Sequence, residues 1–366
     1  MAEPLKNMYN EEFMREFGMK VQSVFNQFQT ENFIADVLKD LWDELELKGR
    51  IRRIAIVLGS HLPENYASAL NILCQIDEEC VGFPYLFFPD FVEVFGQNEN
   101  DWELSMHALE RFTKRSSAEF AIRAFIVRDQ ERAMKQMLKW AVNSNEHVRR
   151  LASEGCRPRL PWGQSLPAFK RDPNFVLQVL ELLKADSSLY VRKSVANNLN
   201  DISKDHPQLV LSLAKRWIGN NPDTNWIIRH ACRTLIRKSN PQALAIFGYA
   251  AADIGISLAV MGSIEVNPTE LKIGDSCDLI YELQIRKENS ARIRIEYGID
   301  FVKAKGKISR KQFLLTDKTV PGGSILSGKR THHFADLSTR KHYPGEHRIV
   351  LILNGEEVAE ALIFLS

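Results

Sequence analysis

At 366 residues, with 45% hydrophobic and 26% charged side chains, the chain has the composition of an ordinary soluble protein and the length of two or three domains. No apolar run approaches the ~20 residues that spanning a bilayer requires, and the start does not read as a basic segment followed by an apolar one, so a cytoplasmic protein without a membrane partner is expected. The net charge of +2 conceals an asymmetry: residues 1–122 hold 11 basic and 21 acidic side chains, residues 123–238 hold 21 and 10, and residues 239–366 hold 16 and 15. A basic excess concentrated in the middle third is what counterion release from a polyanion rewards, which makes nucleic acid the first partner to consider.

From Met1 to about Ala250 the chain reads as consecutive amphipathic helices, as in Phe33, Val37, Leu38, Leu41 and Leu45, where apolar residues recur at three- and four-residue steps. Four segments within it align on a basic pair: Lys114-Arg115, Arg149-Arg150, Arg192-Lys193 and Arg229-His230. Their spacings of 35, 43 and 37 residues fit a HEAT-like solenoid, in which stacked helix pairs present one helix of each pair on a common face. The longest spacing contains Arg157-Pro158-Arg159-Leu160-Pro161-Trp162-Gly163-Gln164, an eight-residue insertion whose two prolines and glycine predict a loop at a helix C-terminus.

After about Gly255 short alternating runs replace the helical pattern. Strands are predicted at 279–285, 293–297, 312–316, 330–335, 347–353 and 357–365, separated by turn signals such as Pro321-Gly322-Gly323 and Asn354-Gly355. About seven short strands in such a length fit an immunoglobulin-like β-sandwich, although the Cys…Trp…Cys core of that fold is absent. The expected organisation is therefore multidomain, α then β: a HEAT-like α-helical repeat solenoid over 1–252 followed by an immunoglobulin-like β-sandwich over 258–366. Five scattered cysteines (Cys74, Cys80, Cys156, Cys232, Cys277), with no CxxC or HExxH, point to reduced, buried side chains rather than a disulfide framework or a metal site.

On a helix, residues four apart share a face, so Arg115/Glu119, Arg150/Glu154 and Lys193/Asn197/Asp201 should each form a stripe. Stacked repeats would merge these stripes into one surface, a basic rim with carboxylates inside it. Each pair alone is better explained as an exposed intrahelical ion pair worth a few tenths of a kcal/mol. The Trp162 loop weighs against that explanation, because a merely solvated face does not need an aromatic side chain beside Arg157 and Arg159. Trp42, Trp102, Trp140, Trp217 and Trp226 fall within helical patterns and read mostly as core.

The stretches Ser117-Ala118-Glu119-Phe120-Ala121-Ile122-Arg123, Ala152 through Trp162, and Val191 through Ile202 resemble those of AlkC-type DNA glycosylases, members with AlkD of a HEAT-like repeat superfamily. The resemblance covers roughly residues 1–250 and extends to the C-terminal immunoglobulin-like domain that some AlkC members carry. It implies hydrolysis of the N-glycosidic bond of N3-methyladenine and N3-methylcytosine in duplex DNA, as a step of base excision repair. The family's pocket carboxylates and aromatic map onto Glu119, Glu154, Asp201 and Trp162. A cationic methylated base is a good leaving group, and carboxylates near the sugar suit an oxocarbenium-like transition state while an indole suits the cation. Such chemistry needs no metal and no cofactor. Lys114, Arg115, Arg149, Arg150, Arg157, Arg159, Arg192, Lys193 and Arg229 are the expected DNA contacts, and a monomer is expected. The alternative is a non-catalytic HEAT-repeat scaffold that binds nucleic acid or an acidic protein.

Overall fold

The computed structural model describes residues 4–249, 257–287, 290–336 and 341–366. Among them the chain forms sixteen α-helices and then eight β-strands, a HEAT-like helical region followed by an immunoglobulin-like β domain. Two compact units are distinguished: a helical unit that runs to His206 and resumes over Trp217–Ala231, and a second unit that holds Pro207–Arg216 and begins again at Cys232. The boundary expected between 252 and 258 falls largely on residues 250–256, which lie outside the described residues.

In the helical unit, asparagine and aspartate side chains open the helices by accepting from backbone N–H groups. Asn10, Asn65, Asp129 and Asn145 do so for Glu11–Val24, Tyr66–Ile76, Gln130–Ala141 and Glu146–Gly155. The helices Glu146–Gly155, Leu189–Ile202 and Pro222–Ala231 pack side by side in that order, with Gln130–Ala141 and Asn174–Leu183 behind them. Buried apolar positions such as Val148, Leu151, Val191, Val195 and Ile227 form the seam. Two buried indoles repeat one interaction, since Trp140 donates to Glu110 at 3.0 Å and Trp217 donates to Glu181 at 3.1 Å. Trp42 and Trp102 are core as expected, whereas Trp226 reaches the surface and stacks on His230, with ring centroids 5.1 Å apart.

The recurring arginines also have a structural use. Arg149 Nη1 donates to the carbonyls of Asn143 and Ser144, six and five residues earlier, and Arg192 Nη1 does the same to Asp186 and Ser187. Arg149 further pairs with Asp186 of the next repeat at 2.6 Å, and Arg192 with Asp223 of the following one at 3.3 Å. These side chains satisfy carbonyls in the turn before each helix and link neighbouring repeats.

In the second unit, β1 (Ala259–Asn267), β3 (Ser276–Ile285) and β6 (Ile325–His333) form a sheet in the order β1-β3-β6. The other sheet has the order β2-β8-β7-β4-β5, built from β2 (Glu270–Leu271), β4 (Ala291–Val302), β5 (Ile308–Val320), β7 (Gly345–Leu353) and β8 (Glu356–Leu365). The core between them is aliphatic, with Leu279, Leu283, Ile293, Ile295, Ile299, Ile349 and Leu351 buried. Alternation of these residues with polar ones is what makes both sheets one-sided. Asn354 and Gly355, both at positive φ, make the tight β7–β8 turn. β1 and β2 were not among the predicted strands, although Ile264 and Val266 flank Glu265 with the expected alternation.

Candidate active site

The helix Glu146–Gly155 places Glu154 one turn beyond Arg150, and its last turn leads directly into the insertion. Pro158 and Pro161 end any helical path, and residues 157–166 form a loop before the next helix, Pro167–Arg171. Trp162 is 63% exposed and has a φ of 61°, a left-handed conformation uncommon for a residue with a side chain. Lys48 Nζ donates to the Trp162 carbonyl at 3.0 Å and lies 4.6 Å from the centre of the Phe120 ring.

Opposite this loop, Glu119 corrects one expectation. The helix Trp102–Thr113 ends before Arg115, and Glu119 lies in a turn preceding the helix Ile122–Arg128, so Arg115 and Glu119 do not share a helical stripe. Arg115 pairs with Glu78 at 2.6 Å, whereas Glu119 accepts from Ser117 and from Arg150 of the neighbouring helix. Arg150 and Glu154 do share a face, 3.8 Å apart. Lys193 and Asp201 share the helix Leu189–Ile202, but Asp201 is buried while Lys193 is exposed.

The carboxylates are joined by one buried arginine, Arg157, and one half-buried arginine, Arg150. Arg157 Nη1 donates to Glu154 at 2.6 Å and its Nε to Asp201 at 2.9 Å, and Lys204 donates to the other Asp201 oxygen at 3.0 Å. Burial works against the Arg157 charge, but Glu154 and Asp201 more than offset it and hold its pKa above the ordinary value. Arg150 behaves alike: burial opposes its charge, Glu119 and Glu154 support it, and its guanidinium lies 4.6 Å from the centre of the Tyr190 ring. Arg157, read from the sequence as a DNA contact, is only 8% exposed and sits between two carboxylates, so its polar atoms face inward rather than toward a phosphate.

Glu119, Glu154, Arg157 and Trp162 line one cleft of about 260 Å³, with Phe83 and Phe120 among its apolar walls. Asp201 is not among the lining residues and reaches the cleft only through Arg157. Among the other expected contacts, Lys114 pairs with Glu110 at 3.6 Å and Arg159 with Asp205 at 2.7 Å, both partly exposed. Arg229 lies on the helix Pro222–Ala231 beside His230. Arg149 and Arg192 are held in the inter-repeat contacts described above.

Sequence reasoning did not single out Arg123, Lys48 or Tyr190. Arg123 alone carried a signal, a charged residue inside the apolar run Ala121-Ile122-Arg123-Ala124-Phe125-Ile126. The arrangement offers acceptor groups and an indole face around a small cleft, enough to stabilise a cation or orient a water. Among the described residues no group of three or more His, Cys, Asp or Glu side chains is placed to hold a metal. No helix among them is long and apolar enough to cross a membrane.

Comparison with known proteins gives a consistent picture. Residues 92–235, which include Glu119, Glu154, Arg157 and Trp162 of the cleft, match the family described as DNA alkylation repair enzyme. Residues 260–366 match the family described as "Uncharacterised protein YhaZ, C-terminal Ig-like domain". A Bacillus subtilis (strain 168) protein, YhaZ, is 46% identical over 360 residues, covering 98% of both chains. The solved structure of Pseudomonas fluorescens alkylpurine DNA glycosylase AlkC, bound to DNA containing an abasic site analogue, superposes with a TM-score of 0.93 at 38% identity, covering all of both chains. With likeness running the full length of both units and repair-enzyme similarity over the charged residues and the indole of the cleft, the chain belongs to the AlkC-type family of DNA alkylation repair proteins.

Proposed function

We propose that this protein is a DNA glycosylase that removes cationic alkylated bases, N3-methyladenine and N3-methylcytosine, from duplex DNA by simple hydrolysis of the N-glycosidic bond, and that it does so in the cytoplasm as a monomer. One observation carries the reading: Glu119, Glu154 and the exposed indole of Trp162 line the same cleft. Similarity over the full length to an alkylpurine DNA glycosylase supports it.

The leaving base carries a positive charge, so bond cleavage leaves positive character on the deoxyribose. Glu119 and Glu154 are assigned to stabilise that charge and to orient the attacking water, and Trp162 to favour a cationic over a neutral base. Asp201 acts through Arg157, which presents Glu154 to the cleft. Lys114, Lys193, Arg159 and Arg229 are the basic side chains assigned to phosphates.

Incubation with methylated duplex DNA tests this directly. Release of free methylated bases with abasic sites in an unbroken strand is the expected result. Tight binding without base release would favour a scaffold, and strand cleavage at the abasic site would exclude simple hydrolysis.

A further inference from the structure

The Trp162 loop leaves the helix Glu146–Gly155 and rejoins a helix at Pro167, and its side chains Arg157 and Arg159 bind Glu154, Asp201 and Asp205 while Leu160 and Leu166 are buried. Its two ends are further gathered by one side chain from another helix. Arg123 Nη1 donates to the carbonyls of Gly155 at 2.8 Å and Arg157 at 2.9 Å, and its Nε donates to the carbonyl of Gln164 at 2.6 Å. Two of these oxygens lie where the loop begins and one lies just after Trp162. A further bond, from the Leu166 N–H to the Pro158 carbonyl at 3.2 Å, runs parallel to the clamp.

Arg123 occupies the second position of the helix Ile122–Arg128, whose start follows directly on the turn that carries Glu119. One residue therefore touches the base of one cleft wall by covalent connection and the base of the other by three hydrogen bonds. Arg123 is 1% exposed, and its Nη2 has no hydrogen-bond partner. Burial pushes its pKa down to about 10. A buried arginine with an orphan donor is a poor way to gain stability, since an apolar residue of similar volume would avoid the desolvation cost. Its planar fork is a good way to fix three oxygens in space at once, which a lysine ammonium on a flexible stem does not do.

We infer that Arg123 is a positioning residue that sets the distance between Glu119 and Trp162 by clamping the backbone of the Trp162 loop. This inference rests on the proposed glycosylase reading of the cleft. Displacing a wall by about 1 Å is expected to cost on the order of 100-fold in rate.

The test compares full-length wild type with Arg123→Ala and Arg123→Lys by two independent readouts. One is single-turnover release of methylated base at saturating enzyme. The other is acrylamide quenching of tryptophan fluorescence, with Trp162→Phe used to subtract the remaining tryptophans, all buried except Trp226, which is 36% exposed. The expected result is a roughly 100-fold slower release in Arg123→Ala, altered quenching at Trp162, unchanged affinity for undamaged duplex, and partial recovery of rate with millimolar guanidinium ion. Arg123→Lys should keep the fold, as judged by circular dichroism, and still lose most of the rate.

Wild-type rates and wild-type quenching in both variants would overturn the inference. Loss of helical structure in both would also overturn it, because Arg123 would then hold the whole unit rather than the loop. If wild type releases no base while the Arg123 variants still alter Trp162 quenching, the glycosylase reading fails and the clamp stands.

Discussion

Arg157 donates from Nε to the carboxylate of Asp201, forty-four residues further along the chain, at 2.9 Å in a buried setting. Arg157 is also bound to Glu154, so removing its charge takes the shared buried partner from two carboxylates, leaving as ion-pair partners among the described residues only Arg150 for Glu154, at 3.8 Å, and only the half-exposed Lys204 for Asp201, at 3.0 Å. Breaking such a pair on one side costs about 3–5 kcal/mol. Arg157→Met is expected to lower the urea midpoint accordingly, with little change in the salt dependence of DNA binding. A normal urea midpoint with weaker DNA binding would return Arg157 to the phosphate contacts.

Glu154→Gln keeps the size of the side chain and one acceptor oxygen but removes the charge. If Glu154 faces the sugar in the transition state, base release should slow by on the order of 100-fold while duplex affinity holds or rises slightly. Glu119→Gln should act in the same direction. Single-turnover excision assays decide the matter, and full activity in both variants would reduce the carboxylates to ion-pair partners of Arg150 and Arg157.

Trp162 is largely exposed, so Trp162→Ala should shift stability by less than about 1 kcal/mol. Its effect belongs to the substrate: a desolvated cation over an indole is worth about 2 kcal/mol, roughly 30-fold in excision of a cationic base. Binding to undamaged duplex should stay near wild type. Equal losses for charged and neutral substrates would show that the indole merely fills space.

The recurring basic pairs divide into two kinds. Lys193→Glu, at an exposed position, should leave the thermal midpoint in place and reduce both DNA affinity and the slope of log affinity against log salt by about one phosphate. Arg192→Glu should destabilise the fold, because its guanidinium binds two backbone carbonyls and Asp223. Thermal melts and salt titrations of the two variants separate these outcomes, and a stable Arg192→Glu would contradict the structural role.

In the β domain His347 is fully buried, its Nδ1 against the Gly345 carbonyl at 3.0 Å and its Nε2 without a partner, near Phe301 and Phe334. Burial, aided by Lys303 and opposed by the Gly345 carbonyl, lowers its pKa below 6.5. The unfolded chain therefore takes up this proton more readily than the folded one. The stability at stake is present above about pH 6.5 and is lost as the pH falls through the depressed folded value. Urea titrations at pH 7.5 and 5.5 should show the loss, and His347→Phe should remove its share of the pH dependence.

Much of this architecture was legible in the sequence because it rests on local pattern. Apolar spacing marked the helices, alternation and turn residues marked most strands, and Pro158, Pro161 and Gly163 marked the insertion. The strand β5 runs longer than 312–316 because its Ser309-Arg310-Lys311 start carries no apolar alternation, although it pairs along its length with β4. The stripe of Arg115 and Glu119 misread the helix end, since the break at Ser116 carries neither proline nor glycine. The periodicity of Arg149 and Arg192 was visible, but its cause was not, because it lies in carbonyls five and six residues earlier and in acids of the next repeat. Arg157 and Arg123 take partners through tertiary packing, which no spacing rule reports.

Because the Trp162 loop is fastened through its carbonyl oxygens, its shape is largely uncoupled from the chemical identity of its outward side chains. Pro161, Trp162, Gln164 and Ser165 are all exposed, while the oxygens that anchor the segment belong to the main chain and survive most replacements. The segment thus behaves as an exchangeable cassette. Its one conformational toll is the left-handed backbone at position 162, which excludes β-branched residues and admits asparagine or glycine readily. Libraries confined to these four positions offer a route to new base preferences without rebuilding the scaffold.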